Sequence, residues 1–345
     1  MKRTTKKILM IISLITMVFG AMACGKNDVE TASGGATSTQ KEEQLGEGIN
    51  QATSLKIGDQ DNYLTAKVAL EKGFFEDEFG KDFDVEVSSF TGGPALTEAL
   101  LANQIDLAMY ADLPAVQAKA NNVDIKIIST FWQADDAYSL IAGKESGIET
   151  LKDLKGKRLA IRTGTQGHKL ILNYLKSVGL TGDDVELVGL EYAESLSALS
   201  TGDIDGFIGF TVDNDKNVEQ TGGHVVSTSE GYDNTVVYQI ANNEYASKNP
   251  DIIARYLKVL DKTNQWIAEN KEEASQITAD FIGTTPDVIE QYWDSRTFKI
   301  GWEDSLYHDI SNTIDFAVEQ GTIESKFDAE ELVDLTYLEK AGLYE

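Results

Sequence analysis

Between residues 55 and 241, short apolar or β-branched runs alternate with segments of helical periodicity. The runs predict strands at Leu55–Gly58, Val85–Ser88, Ile105–Met109, Ile125–Thr130, Ser139–Ala142, Arg158–Arg162, Val185–Leu190, Ile204–Gly209, His224–Ser227 and Thr235–Ala241. The periodic segments predict helices at Tyr63–Lys72, Pro94–Ala102, Ala115–Asn121, Gly167–Val178 and Ser195–Thr201. Strands that alternate with helices build α/β folds, so we expect an α/β protein with mixed, mainly parallel sheets.

The pattern changes after Asn249, where apolar positions recur only at helical spacing. The predicted helices are Pro250–Glu269, Lys271–Phe281, Pro286–Ser295, Trp302–Gln320 and Ala329–Tyr337. Two of them open on proline after a polar residue, which is a typical helix start. The carboxyl-terminal region is therefore predicted to be helical.

A short internal repeat links two parts of the alternating region. Ala99-Leu100 with Ile105-Asp106 recurs as Ala198-Leu199 with Ile204-Asp205, at the same internal spacing. Each copy reads as a helix end, a turn and a buried strand, although these residues are common enough to recur by chance. The repeat favours two similar lobes that face each other across a cleft.

The amino-terminal region reads as a secretory leader followed by a linker. Basic residues precede a short apolar run that ends near Gly20, and Ala21-Met22-Ala23 then leads to Cys24, the only cysteine. The run is too short to span a bilayer. The Ala-Met-Ala-Cys sequence resembles a bacterial lipobox, with Ala21 where leucine is commonest. We therefore predict a lipoprotein signal peptide over residues 1–23, lipidation of Cys24 and a flexible tether over 24–53; the alternative is an ordinary secreted protein with a stray cysteine.

Composition excludes several classes of protein. Lys and Arg number 30 against 57 Asp and Glu, a formal net charge of −27. Nucleic-acid binding requires clustered positive charge, so no nucleic-acid partner is expected, and the acidic excess chiefly favours solubility. A single cysteine also excludes an internal disulfide and a cysteine-built metal site. About 290 residues remain after the tether, a length that suits two lobes.

Two glycine-containing turns follow predicted strands and open predicted helices. They are Thr91-Gly92-Gly93-Pro94 and the segment from Thr163 to His168, with Thr165 in its middle. A helix amino terminus presents free N–H donors and partial positive charge, which suits an anion. Neither turn has the spacing of a nucleotide-binding loop. An ordinary strand-to-helix turn is the simpler interpretation of either one alone.

Aromatic side chains recur at the carboxyl ends of the predicted strands, where α/β proteins bind ligands. The candidate residues at these ends are Asn62, Tyr63, Tyr110, Asp112, Trp132, Tyr192 and Phe210. As a set they favour a ligand with an apolar or flat part.

Catalytic motifs are missing from the sequence. His168, His224 and His308 are far apart and none belongs to an H-E-x-x-H motif, and the chain contains no G-x-S-x-G. We therefore expect no enzyme activity, no metal site and no cofactor; a surface-anchored enzyme and a sensory or adhesive module remain alternatives.

The chain resembles the substrate-binding proteins of ABC importers in the nitrate, taurine and aliphatic-sulfonate group. The resemblance covers about residues 54–270 and rests on Val68–Phe75, Phe90–Leu100, Gln104–Asp106, Ser146–Lys157 and Thr163–Thr165. It implies a two-lobed type II periplasmic-binding-protein fold, with one lobe over 54–140 plus 235–345, the other over 141–234, and a hinge near Ala142 and Thr235. It also implies that the two glycine turns hold the anionic head of the ligand.

The function implied by this resemblance is capture of a small anionic solute in the cleft and its delivery to a permease and ATPase. Such a protein would be extracytoplasmic, membrane-anchored and, we expect, monomeric. Relatives often carry a Trp-x-Pro-like segment where this chain has Phe210–Asp213. Asp112, Asp135, Glu191 and Asp213 lie in predicted cleft loops, and a carboxylate repels an anion unless it is paired. A cationic ligand or a pyrimidine resembling a thiamine precursor is therefore the alternative.

Overall fold

The computed structural model describes residues 52–60, 65–90 and 92–344. The predicted leader, the lipidation of Cys24 and all but the last two residues of the tether lie outside these ranges. No helix among the described residues is both long enough and apolar enough to cross a membrane.

The strands form two sheets. Their bounds are β1 Ser54–Gln60, β2 Asp84–Phe90, β3 Leu107–Ala111, β4 Ile125–Ala134, β5 Tyr138–Ala142, β6 Arg158–Ile161, β7 Glu186–Gly189, β8 Gly206–Phe210, β9 His224–Thr228, β10 Thr235–Asn242 and β11 Thr297–Phe298. The first sheet has the order β11-β4-β10-β3-β1-β2, and the second has the order β7-β6-β8-β5-β9.

Helices connect the strands and form the carboxyl-terminal region. Their bounds are α1 Thr65–Glu71, α2 Phe74–Phe79, α3 Gly93–Leu101, α4 Asp112–Ala120, α5 Gln166–Ser177, α6 Tyr192–Thr201, α7 Asn214–Thr221, α8 Asn243–Lys248, α9 Pro250–Glu269, α10 Lys271–Ile282, α11 Pro286–Asp294, α12 Ser305–Glu319 and α13 Thr336–Ala341. Short 3₁₀ turns occur at Leu151–Leu154, Gly182–Asp184, Thr211–Asp213 and Ala329–Glu331. The α/β fold with a helical carboxyl-terminal region is confirmed.

The sheets are mixed, as predicted, but parallel pairs do not predominate. Strand β1 pairs in parallel with β2 and β3, and β6 does so with β7 and β8. Strands β10 and β5, which run next to the segments that connect the sheets, pair antiparallel on both sides. The antiparallel pairs arise because the chain crosses between the sheets at these strands and enters each sheet in the opposite direction.

The predicted helix over Ala329–Tyr337 is wrong. The 3₁₀ turn ends at Glu331, and Val333 then forms a parallel bridge with Ile127 of β4. The backbone N–H of Ile127 donates to the carbonyl of Leu332 at 2.8 Å. Leu332 and Val333 are apolar because they cover the sheet edge, and this burial imitates the helical pattern.

The internal repeat occupies the same position in both sheets. The Asp106 carboxylate accepts the backbone N–H of Lys56 at 2.8 Å, and the Asp205 carboxylate accepts that of Arg158 at 2.8 Å. Lys56 lies in β1 and Arg158 opens β6, the strands that β3 and β8 adjoin in parallel. The two copies therefore fix equivalent strand pairs by the same hydrogen bond.

The apolar core divides along the same line as the sheets. One large cluster combines the first sheet with the carboxyl-terminal helices, and two smaller clusters pack on the faces of the second sheet. The chain leaves the first sheet after Ala134 and returns to it at Thr235. All of β5, from Tyr138, belongs to the second sheet, so the first crossing precedes the boundary at residue 140 that the sequence predicts.

Candidate functional site

A cleft lies where the start of α3, beside the first sheet, faces loops at the carboxyl ends of β6 and β7 in the second sheet. Its volume is about 460 Å³. The lining residues are Gly92, Pro94, Ala95, Glu98, Ile161, Arg162, Thr163, Thr165, Gly189, Leu190, Glu191 and Glu194. Both glycine turns singled out in the sequence contribute to this cleft.

Arg162 reaches across the cleft from the end of β6 to the turn before α3. A Cβ atom on Gly92 would lie 2.8 Å from Nη2 of Arg162, so the guanidinium rests directly on the glycine backbone. Gly92 has φ 151° and ψ −178°, a conformation that is essentially restricted to glycine. Glycine is therefore required here for the backbone path, and a Cβ at this position would displace the end of the arginine side chain.

Two helices begin at the cleft. Gly92 caps α3, with proline in its first turn, and Thr165 caps α5. The Thr165 hydroxyl donates to the carbonyl of Arg162 at 2.7 Å, which ties the cap to the arginine-bearing segment. The first N–H groups of a helix have no intrahelical acceptor, so both helices present donors and positive dipole ends near the guanidinium.

Carboxylates share the cleft with the arginine. Nε of Arg162 lies 3.0 Å from Oε2 of Glu191, and Glu98 and Glu194 also line the cavity. The Glu191 side chain is 70% exposed, so this ion pair contributes little stability and exchanges readily with solvent ions. The sequence analysis expects a cleft carboxylate to repel an anion unless it is paired, and Glu191 is paired with Arg162.

An aromatic cavity of about 80 Å³ adjoins the cleft and shares Arg162 and Thr165 with it. Its walls include Tyr138, Tyr192 and Phe210. The rings of Tyr138 and Phe210 stack with centroids 5.1 Å apart, and the Tyr192 hydroxyl donates to Oδ1 of Asn217 at 2.7 Å. Burial raises the pKa of Tyr138 to about 12, against the opposing charge of Arg296. Tyr138 is therefore neutral at pH 7, and its hydroxyl can donate a hydrogen bond.

The structure brings five of the predicted site residues to these two cavities: Gly92, Thr163, Thr165, Tyr192 and Phe210. Asn62, Tyr63 and Thr91 lie outside the described residues.

Three predicted site residues are packed beneath the site. A Cβ on Gly93 would lie 2.9 Å from Pro114, so this glycine is needed for packing of α3 on α4. Tyr110 is fully buried under the same turn, and Trp132 is buried against the guanidinium of Arg296. None of the three lines either cavity.

Asp112 belongs to a buried polar cluster rather than to the lining of either cavity. Its Oδ2 lies 2.9 Å from Nζ of Lys169 and accepts a short hydrogen bond from Thr313. Lys169 also lies 3.4 Å from the Asp233 carboxylate and donates to Thr313 at 2.8 Å. The Lys169 cluster (Lys169, Asp112, Asp233 and Thr313) thus joins α5 beside the second sheet to α4 and α12 beside the first.

His168 supports the loop before α5. Nδ1 of its ring accepts the backbone N–H of Gly164 at 3.4 Å, and burial lowers its pKa. The ring is therefore neutral at pH 7 and acts as an acceptor within the loop. Among the described residues, no group of three or more His, Cys, Asp and Glu side chains is placed to hold a metal ion.

Sequence reasoning missed Arg162, Tyr138 and Ser195 as lining residues. The sequence pattern predicts a strand that includes Arg162, whereas in the structure this residue follows directly after β6 and stands before a glycine turn. A basic residue at the carboxyl end of a parallel strand is the signal that could have identified it. Tyr138 opens β5 opposite Phe210, a pairing that follows only from the antiparallel register.

Comparison with known proteins gives a family match and a relative that matches nearly the full length. Residues 60–274 match the family model described as NMT1/THI5 like. A Bacillus subtilis (strain 168) protein, provisionally named as an aliphatic sulfonates-binding protein, is 26% identical over 334 residues, which cover 96% of each chain.

Solved structures share the fold. The periplasmic aliphatic sulphonate binding protein of Escherichia coli superposes with a TM-score of 0.73 at 23% identity, over 82% of this chain and 92% of that chain. The alkanesulfonate-binding protein of Xanthomonas axonopodis pv. citri, bound to MOPS, also gives 0.73, at 21% identity, over 82% of this chain and 99% of that chain. These similarities establish the two-lobed periplasmic-binding-protein fold.

Proposed function

Because the chain belongs to the NMT1/THI5-like family, we propose that it is the solute-binding component of an ABC importer and captures a small organic sulfonate. The observation that carries this proposal is Arg162, held against the Gly92 turn in a cleft where α3 and α5 begin. A sulfonate offers three oxygens and one negative charge, which match a guanidinium fork and helix N–H donors.

Ligand capture would exchange one anion for another. In the structure the Glu191 carboxylate forms an ion pair with Nε of Arg162. A sulfonate that enters the cleft would compete with this exposed carboxylate and would add contacts to the two helix termini that Glu191 does not make. The aromatic cavity beside Arg162 would receive the organic part of the ligand, because its walls are rings and aliphatic side chains.

We propose that the two sheets form the cores of two lobes that close on the ligand. The chain crosses between the sheets at residues 135–137 and 229–234, and these segments would act as the hinge. Closure would shield the ligand from water and present both lobes to a permease and its ATPase.

The remaining expectations concern where the protein acts. We propose an extracytoplasmic monomer that is anchored through a lipid on Cys24 and has no catalytic activity. A tether keeps a capture protein at high effective concentration beside its permease. Two acyl chains suffice for stable anchoring, whereas one binds only reversibly.

A pyrimidine or amine ligand is the second candidate function, and one observation favours it. Glu98, Glu191 and Glu194 line the same cleft as Arg162, and a cation or an N–H-rich heterocycle would pair with carboxylates. The aromatic pair Tyr138 and Phe210 would stack on a flat ring.

A ligand panel separates the two candidates. The full-length protein is titrated with ethanesulfonate, taurine, nitrate, an aminopyrimidine and a simple amine, with the melting temperature as the signal. We expect the sulfonates to raise the melting temperature by several degrees at saturation. A shift with the aminopyrimidine or the amine alone would favour the second candidate, and no shift with any solute would contradict both.

A further inference from the structure

Arg296, between α11 and β11, is a buried cation outside the residues already assigned to the cleft. Only 8% of the residue is exposed. Its guanidinium lies 3.6 Å from the ring centroid of Tyr292 and 4.9 Å from that of Trp132. Nη1 donates to the Tyr292 carbonyl at 2.8 Å and to the Ser295 hydroxyl at 2.7 Å. The aromatic faces and these oxygens hold the guanidinium in one orientation.

Among the described residues no acidic side chain forms a salt bridge with this guanidinium, and its charge acts only at longer range on the Asp213 carboxylate. Within the described part of the chain, Arg296 has no carboxylate within 4 Å, and its Nε is buried without a hydrogen-bond partner. The hydroxyls of Tyr292 and Thr278, which lie nearby, are also buried without a hydrogen-bond partner. All three groups can donate a hydrogen bond, so this part of the protein matches an acceptor-rich group.

An unpaired buried charge is costly to maintain. Buried arginines in proteins are normally paired with carboxylates, because desolvation of an uncompensated cation opposes folding. Cation–π contacts offset only part of this cost. A residue that opposes folding in the unbound state is explained most simply by a benefit in the bound state.

Arg296 lies near the aromatic cavity, since its charge acts on the hydroxyl of Tyr138, a wall of that cavity. Phe210, a wall of that cavity, also lines a third cavity of about 140 Å³ together with Asp213, Thr278 and Tyr292. Tyr292 is the ring on which Arg296 stacks. A molecule bound at Arg162 and extended past Phe210 would reach the cavity that Tyr292 lines, next to Arg296 and the unpartnered hydroxyls of Tyr292 and Thr278.

We propose that Arg296 is a second anion-binding residue of the cleft and that the ligand is a sulfonate carrying a second acidic group. This inference rests on the proposed function, since it takes Arg162 as the site of the first sulfonate. The organic spacer between the two acidic groups would pass the rings of Tyr138 and Phe210. Among the described residues, Asp213 is the one acidic side chain that lines the third cavity, and it would oppose the second anion.

The test compares two series of probes on the full-length protein by calorimetric titration. One series is ethane-, butane- and hexanesulfonate, and the other is the matching α,ω-disulfonates. We expect at least one disulfonate to bind roughly ten- to a hundredfold more tightly than its matched monosulfonate, as for a charged hydrogen bond. If no chain length shows this advantage, the inference is overturned without any variant.

Variants test whether Arg296 causes the tighter binding of disulfonates. In Arg296→Met the advantage should disappear, while monosulfonate affinity stays unchanged and the melting temperature of the unbound protein stays equal or rises, as when other buried charges are replaced by apolar groups. Arg255→Met, at a partly exposed arginine paired with Glu78, is the matched control and should change neither affinity. A lower melting temperature with the advantage intact would make Arg296 a structural residue and overturn the inference.

Asp213→Asn separates this proposal from an ion pair between Asp213 and Arg296 in the closed protein. Under the proposal, removal of the carboxylate increases the preference for disulfonates by several-fold. If instead the variant weakens both series equally, Asp213 is the partner of Arg296 and the inference fails. If neither series binds the unaltered protein at all, the proposed function fails with it, whereas monosulfonate binding without a disulfonate advantage removes this inference alone.

Discussion

Removal of the Lys169 ammonium should destabilise the protein more than removal of any surface lysine. Nζ of Lys169 lies 2.9 Å from Asp112 and 3.4 Å from Asp233, and the three side chains are 12%, 8% and 3% exposed. Burial alone lowers the pKa of Lys169, but the two carboxylates outweigh it and the pKa is raised. The ammonium is therefore fully charged at pH 7.

Lys169→Met would leave two buried carboxylates without their cation. Breaking a buried ion pair in this way costs about 3–5 kcal/mol. For a body of this size that corresponds to a fall of roughly 5–10 °C in melting temperature. Thermal unfolding followed by circular dichroism measures the change directly.

The loss of stability in Lys169→Met should become smaller as the pH falls. Burial raises the pKa of Asp233, and Lys169 opposes this shift. Without the ammonium the folded-state pKa rises further above the unfolded value, so the folded variant takes up protons that the unfolded chain does not. Protonation then removes the buried negative charge, and the difference from the unaltered protein should be smaller near pH 5 than at pH 7.

Two further variants control the experiment. Lys248→Met removes an exposed ion pair with Glu244 and should cost less than about 1 kcal/mol. Adding Asp112→Asn to Lys169→Met should recover part of the loss, because one of the orphaned charges is removed. A Lys169→Met protein that melts within about 1 °C of the unaltered one would refute the reasoning, since a change that small is below the cost of one unpaired buried charge.

Three other changes have defined outcomes. Gly92→Ala should destabilise the protein by about 1–3 kcal/mol and weaken sulfonate binding, because alanine is strained at φ 151° and displaces Arg162; unchanged binding and melting would contradict this. Asp205→Ala should cost about 1–3 kcal/mol in chemical unfolding through loss of the Arg158 N–H acceptor. Burial raises the pKa of Asp205, but the hydrogen bonds and charge of Arg158 outweigh burial and hold this pKa low. The loss of stability in Asp205→Ala should therefore vanish as the pH falls through that lowered pKa. Thr165→Ala should weaken sulfonate affinity by about 1–2 kcal/mol in titration, because its hydroxyl donates to the carbonyl of Arg162 and holds the arginine-bearing segment in place; unchanged affinity would show that this bond does not position Arg162.

The sequence predicted the elements well because their signals are local. Every strand predicted from an apolar run exists within a few residues of its predicted bounds. Helices α2, α7 and α8 and the two-residue strand β11 were missed because they are short and carry no complete apolar period. The wrong helix near Leu332 shows the limit of periodicity, since contact with β4 from far along the chain placed those apolar residues.

Site residues were harder to predict because their surroundings are set by distant segments. Asp112 and Trp132 both follow or end strands, as cleft residues often do, yet Lys169 covers one and Arg296 covers the other. Conversely, Arg162 enters the cleft because β6 ends just before it. Strand ends indicate the edge of each sheet beside which the cavities lie, but only the packing decides which side chains there meet solvent.

The central claim is that Arg162 holds the sulfonate group of a captured solute. Calorimetric titration of the full-length protein, of Arg162→Gln and of the partly exposed control Arg255→Gln with ethanesulfonate tests it most directly. Because the Glu191 side chain is mostly exposed, it tolerates the loss of its partner and the variant should fold. We predict an affinity roughly ten- to a hundredfold lower in Arg162→Gln, with the control unchanged. Equal binding by Arg162→Gln and the unaltered protein, or no sulfonate binding by either, would contradict the account.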